Sequence, residues 1–253
     1  MTEAAEHDLW LRRYHPAGRS KVRLVCFPHA GGSASFYFPV SAALSPGIDV
    51  LAVQYPGRQD RRLEPCTDDI PAMADRIFRA TDIWADGPLA LFGHSMGAIL
   101  AFEVARRIER ELGVAPVRLF ASGRRAPSCT RDETVHLRDD DGIVRELQLL
   151  SGTDARVLGD EELLRMVLPA LRNDYRAIET YRGDDGAAVS CPVTVLTGDA
   201  DPRTSMDEAL AWRGHTTGEF DLEVFPGGHF FLAARQEAVL KAIGERLVPA
   251  TVS

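Results

Sequence analysis

Short apolar runs separated by longer amphipathic stretches set the rhythm of this chain. Six runs read as β-strands: residues 22–28 (VRLVCFP), 50–55 (VLAVQY), 88–94 (PLALFGH), 117–123 (VRLFASG), 193–198 (VTVLTG) and 221–227 (DLEVFPG). Most are bounded by Gly, Pro or Asp. Their aliphatic and β-branched content is nearly continuous rather than alternating, as in strands covered on both faces. Helical periodicity fills the intervals. Residues 69–84 put Ile70, Met73, Ile77 and Phe78 near one face, with Asp68 available as a cap and Pro71 tolerated in the first turn. Residues 98–112 carry Ile99, Phe102, Val104 and Ile108 and stop before Gly113, and residues 233–247 carry Val239, Leu240 and Ile243. Strands alternating with helices predict an α/β protein with a mainly parallel sheet flanked by helices on both faces. Residues 9–18 are a candidate antiparallel edge strand.

The alternation fails between residues 128 and 185. Leu147, Leu149 and Leu150 lie in charged, helical text there. The run EELLRMVLPALRNDYRAIETY then repeats Leu164, Val167, Leu168, Leu171, Tyr175 and Ile178 at helical spacing, with Pro169 marking a break or kink. Helices inserted between two strands of such a sheet predict a lid (residues 128–185) on a core made of residues 1–127 and 186–253. Extra packing helices are the blander alternative.

Composition narrows the function classes. The 253 residues carry a net charge of −8, which disfavours nonspecific binding to nucleic acid or an anionic membrane surface. No apolar run approaches the ~20 residues of a membrane span, and MTEAAEHDLW lacks the basic and apolar regions of a signal peptide, so a cytoplasmic location is expected. The four cysteines, Cys26, Cys66, Cys129 and Cys191, form no CxxC pair, which argues against a zinc site or a disulfide framework.

The chemistry concentrates in GHSMG, residues 93–97, between the strand PLALF and the helix opening AILAFEVA. A GxSxG at a strand-to-helix turn is a nucleophile elbow. It lifts the Ser95 hydroxyl above the sheet and offers the Met96 amide to a reacting carbonyl, the arrangement of the α/β-hydrolase fold. Its base follows late in the chain, and His229 fits: it follows the strand DLEVFPG and Gly228 and precedes the last helix. His94 and His29 adjoin the catalytic segments and are expected to shape the elbow and the oxyanion loop. The triad acid belongs in the loop after VTVLTG, where Asp201 and Asp199 compete. Asp201 is further out and better placed to reach His229, while Asp199 suits bracing the turn. FPHAGGSASF, residues 27–36, joins a strand to a helix through small residues, and the Ala30 amide is the expected oxyanion partner of Met96. The pattern is neither GxGxxG nor GxxxxGK[ST], which argues against a nucleotide site.

The same segments carry a family resemblance. FPHAGGSASFY, QYPGRQDR, GHSMGA, LRNDYRAIETY and FPGGHFF resemble the discrete type II thioesterases of polyketide and nonribosomal peptide synthesis, over residues 22–247. The resemblance implies that Ser95, Asp201 and His229 are the triad and that the helices of 128–185 are the lid. It further implies hydrolysis of aberrant or stalled acyl thioesters on the phosphopantetheine arm of acyl or peptidyl carrier protein domains. No metal or bound cofactor is required. Arg58, Arg61 and Arg62 are a candidate patch for docking an acidic carrier, or else a solvated basic loop or internal ion pairs. An esterase or lipase acting on free small molecules is the main alternative. A cyclising terminal thioesterase is disfavoured because no carrier domain precedes the chain, and a noncatalytic module because no triad member is missing.

Overall fold

A computed structural model describes residues 9–18, 20–150 and 161–248. Seven strands form one sheet in the order β1-β3-β2-β4-β5-β6-β7. They are β1 (Leu11–Arg12), β2 (Arg23–Phe27), β3 (Asp49–Val53), β4 (Leu89–His94), β5 (Arg118–Ser122), β6 (Val193–Gly198) and β7 (Phe220–Phe225). The six expected strands are all present with slightly shifted ends. β1 pairs antiparallel with β3 at the edge, and every other pairing is parallel.

The α-helices are α1 (Phe38–Leu44), α2 (Ile70–Arg79), α3 (Met96–Leu112), α4 (Asp140–Leu150), α5 (Glu161–Thr180), α6 (Met206–Leu210), α7 (Phe231–Ala234) and α8 (Gln236–Leu247). Successive strand residues point to opposite faces, so the sheet feeds two cores. Val25, Leu91, Leu119 and Val195 pack with α2 and α3 on one side. Leu24, Cys26, Phe92 and Phe120 pack with Val239 and Ile243 of α8 on the other. Both faces are apolar, which accounts for the near-continuous hydrophobic text of the strands.

The helix boundaries depart from the expected ones for local reasons. α2 stops at Arg79, and Trp84 falls in a separate 3-10 turn whose indole Nε1 donates to the Phe78 carbonyl at 2.7 Å. Its cap is Asp69, whose Oδ1 accepts from the Ala72 amide at 2.8 Å, while Asp68 pairs with Arg176 at 3.1 Å. α3 starts at Met96, directly after Ser95. The last helix is divided at Arg235 into α7 and α8. Pro169 breaks nothing: α5 runs through it, with Pro169 on the exposed side where solvent can satisfy the carbonyl its ring leaves free.

Candidate active site

The elbow is built by close packing. Ser95 has φ 56° and ψ −119°, a region that costs a non-glycine residue about 1–3 kcal/mol and persists only when its surroundings hold it. Its amide donates to the Ser122 carbonyl on β5 at 2.8 Å. A Cβ on Gly93 would lie 2.0 Å from the Gly97 carbonyl oxygen, and one on Gly97 would lie 2.0 Å from that of Phe27. The two glycines thus let three backbone segments approach, while the serine itself takes the strained turn.

The loops after β6 and β7 bring two more side chains to this point. Ser95 Oγ lies 3.0 Å from His229 Nε2. On the other side of the ring, Nδ1 lies 3.0 and 2.9 Å from the two carboxylate oxygens of Asp201. A carboxylate only accepts hydrogen bonds, so the Nδ1 proton faces Asp201 and Nε2 is left to accept the Ser95 hydroxyl proton. His229 and Asp201 are both buried, and Asp201 also accepts from the Arg203 amide at 2.8 Å. Asp199 lies apart from the histidine ring: its Oδ1 accepts from the Gly227 amide at 2.9 Å, which braces the loop that carries His229.

His94 and His29 pack around this group. The His94 ring centroid is 5.0 Å from that of His229, and its Nδ1 contacts Ser122 Oγ at 2.9 Å. His29 packs edge-on between Phe36 and Phe230. Burial, reinforced by the charge of His229, lowers the pKa of both rings well below the ordinary imidazole value. Both are neutral at neutral pH, and neither adds positive charge beside a protonated His229.

The loop after β2 closes the other side of Ser95. Neither the Ala30 nor the Met96 amide meets an acceptor among the described residues, and Ala30 lines the cavity with Ser95. Gly31, at φ 73°, donates its amide to Asp174 Oδ2 on α5 at 2.8 Å. That carboxylate also holds the buried Arg58 guanidinium in a short ion pair. Arg61 is buried as well. It grips Glu64 through two hydrogen bonds of 2.8 and 2.6 Å and stacks 4.2 Å over the Trp10 ring. Of the three arginines considered for docking, only Arg62 is exposed. Arg58 and Arg61 form internal ion pairs, and Asp174 ties both the loop after β2, through the Gly31 amide, and the loop after β3, through Arg58, to α5.

A cavity of about 210 Å³ opens on Ser95 and His229. Leu147, Leu150, Val167, Leu171 and Ile178 give it an apolar wall, and Arg124, Glu133, Glu179 and Arg203 give it a charged one. Residues 151–160 of the expected lid lie outside the described residues. The rest, α4, α5 and the 3-10 turn Val135–Leu137, share a small apolar cluster of Val135, Ile143, Leu168, Leu171 and Tyr175.

An α/β-hydrolase sheet carrying serine, aspartate and histidine on the loops after β4, β6 and β7 defines a serine-hydrolase arrangement. Comparison with known proteins then narrows it. The family model described as a thioesterase domain matches residues 22–247. The chain is 59% identical over 240 residues to the probable cadicidin biosynthesis thioesterase of Streptomyces griseus, covering 95% of this chain and 66% of that protein, just under two thirds of its length. It is 51% identical over 244 residues to thioesterase PikA5 of Streptomyces venezuelae, covering 96% and 87%. The solved structure of the type II thioesterase BorB from the borrelidin biosynthetic cluster superposes with a TM-score of 0.88 at 52% identity, covering 95% of this chain and 98% of that one. The chain belongs to the thioesterase family, and its relatives include type II thioesterases of such clusters.

Proposed function

We propose that the chain hydrolyses acyl thioesters held on the phosphopantetheine arm of acyl or peptidyl carrier proteins, through a covalent acyl-enzyme on Ser95. His229 Nε2 takes the hydroxyl proton as Ser95 Oγ attacks the thioester carbonyl, while Asp201 holds the ring and offsets its positive charge. The Ala30 and Met96 amides hold the oxyanion, each worth about 10²–10³ in rate. As the C–S bond breaks, His229 returns the proton to the departing thiolate. Water then attacks the acyl-serine with His229 again as base, which releases the acid and restores the Ser95 hydroxyl.

The observation that carries this reading is the Ser95–His229–Asp201 hydrogen-bond chain. The cavity beside it, with its wall of Leu147, Leu150, Val167, Leu171 and Ile178, supports an acyl substrate. The helices of residues 128–185 act as the lid of this chamber on a core of residues 1–127 and 186–253. The carrier as partner is supported by the pathways named for the relatives, and cytoplasmic action would follow from it. Among the described residues no helix is long and apolar enough to cross a membrane.

The test compares turnover of an acyl-carrier protein with that of the matching acyl-pantetheine. Deacylation of the carrier with a higher kcat/KM is expected. Equal values, or preference for a free oxygen ester, would make the chain a small-molecule esterase instead.

A further inference from the structure

Arg124 is unusual among the buried charges of this molecule. It follows β5 at the same sheet end as Ser95 and lines the cavity that opens on Ser95 and His229. It is only 8% exposed. The neighbouring cations are paired: Arg125 with Glu133 at 2.6 Å, Arg203 with Glu133 at 2.7 Å and with Glu146, and Arg138 with Glu146 at 3.0 Å. Arg124 has no ion pair among the described residues. A guanidinium offers five N–H donors, yet the only hydrogen bond it makes there is a long one, from Nη2 to the Ile178 carbonyl at 3.4 Å, and its Nε is buried without an acceptor.

Leaving a desolvated charge without partners is costly. Where such a group lines a substrate cavity, a ligand that brings an acceptor removes that cost only when it is bound. Among the described residues the surroundings do not supply one. The Glu133 carboxylate is engaged by Arg125 and Arg203, and Glu179 accepts from the Val135 amide at 2.9 Å and the His136 amide at 3.1 Å. Burial, followed by the charges of Arg125 and other neighbours, lowers the Arg124 pKa to about 9, so the guanidinium remains charged at neutral pH and donates only.

We infer that Arg124 is a specificity residue for acyl chains that carry an oxygen acceptor, a keto, hydroxyl or carboxylate group, and that it distinguishes them from plain alkanoyl chains of the same length. This rests on Ser95 and its cavity being the thioesterase site. The remaining apolar wall contacts the rest of the chain equally in both kinds of substrate. The discrimination therefore comes from a single charged donor, which a plain chain leaves unsatisfied.

The test measures kcat/KM for pantetheine thioesters in matched pairs, butyryl with 3-oxobutyryl and hexanoyl with 5-oxohexanoyl, using the wild-type chain and Arg124→Met. Succinyl-pantetheine tells a carboxylate acceptor from a neutral one. The wild type is expected to favour at least one oxygenated substrate over its alkanoyl parent by about tenfold or more. Arg124→Met should remove that preference, lowering kcat/KM for the oxygenated member by more than for its alkanoyl parent. Arg124→Gln, which keeps an uncharged donor, should retain part of it, and it serves if the methionine variant does not fold. Equal turnover of all members by the wild type, or equal losses in the variants, overturns the inference and leaves the thioesterase reading standing. A wild type that hydrolyses none of these acyl groups, whether on pantetheine or on carrier protein, overturns both.

Discussion

The strand ends that carry Ser95, His229 and Asp201 and the helices that cover them are held in different ways. The Ser95–His229–Asp201 group stands on apolar packing above and below the sheet and on backbone contacts too close for a side chain, at Gly93 and Gly97. Among the described residues the cover has one small apolar cluster of its own, meets the main core through Ala177 and Ile178 of α5, and is otherwise fastened by charge. Asp174 holds Arg58 and the Gly31 amide, Glu133 holds Arg125 and Arg203, and Arg172 reaches Asp140 at 2.6 Å. Burial of apolar area does not depend on pH, whereas paired charges do. The proposed chemistry thus sits on the part least sensitive to conditions, and the cavity proposed to receive the acyl group depends on the part most sensitive to them. Arg203 links the two, since its amide donates to Asp201 and its guanidinium reaches Glu133 at 2.7 Å on the cover.

The contrast can be broken most forcefully at the strand ends. Ser95→Ala should lower turnover by about 10⁴–10⁶ with an unchanged melting temperature, because alanine meets no new contact at that backbone position. Steady-state kinetics and a thermal melt check both. Asp201→Asn should cost about 10⁴ in kcat. Asp199→Asn should act through the order of the His229 loop and leave kcat within about tenfold; the opposite ranking would move the acid role to Asp199.

On the cover, Asp174→Asn removes the partner of a buried arginine and should destabilise by about 3–5 kcal/mol. It also loosens the Gly31 amide beside Ala30, so kcat should fall more than KM rises. An unchanged kcat would show that the loop after β2 holds its shape without α5.

Glu133 gives a milder, reversible probe. Its burial alone would raise the carboxyl pKa, but the Arg125 hydrogen bond and the charges of Arg125, Arg124 and Arg203 outweigh that and lower it from 4.5 to about 2. A lowered pKa in the folded state stabilises fully above the unfolded value and is lost as the group protonates. The cover should therefore lose hydrogen-exchange protection as pH falls from about 4.5 toward 2, before the sheet does, and Glu133→Gln should flatten that dependence. The smallest effect is expected at Arg62. With Arg58 and Arg61 internal, Arg62→Ala should change KM for acyl-carrier protein by less than about twofold.

What could be read in the sequence follows the same division. GHSMG between a strand and a helix is a local pattern, and the aspartate and histidine loops follow their strands in order, so the sheet and the meeting of Ser95, Asp201 and His229 are legible from short segments. Arg58 and Asp174 each stand in a conspicuous segment, QYPGRQDR and LRNDYRAIETY, yet their contact spans 116 residues of chain and nothing local announces it. The arginines after β3 read equally well as a surface patch or as internal pairs until the fold buries them. Arg124 likewise looks like ordinary loop polarity in SGRRAP. Its burial without an ion pair among the described residues arises only when β5, α5 and the loop carrying Glu133 converge. Helix ends were misplaced where a side chain decides them, as when Asp69 rather than Asp68 reaches the Ala72 amide.

The central claim, that Ser95 is activated by His229 and Asp201 to carry thioester hydrolysis, is met most directly by peptide mass mapping after reaction with a fluorophosphonate, which labels activated serines. The label is expected on the peptide that contains Ser95, with deacylation of acyl-carrier protein lost in step with labelling, and with both strongly slowed in Asp201→Asn. A label on another residue, or continued deacylation by protein fully labelled at Ser95, would contradict it.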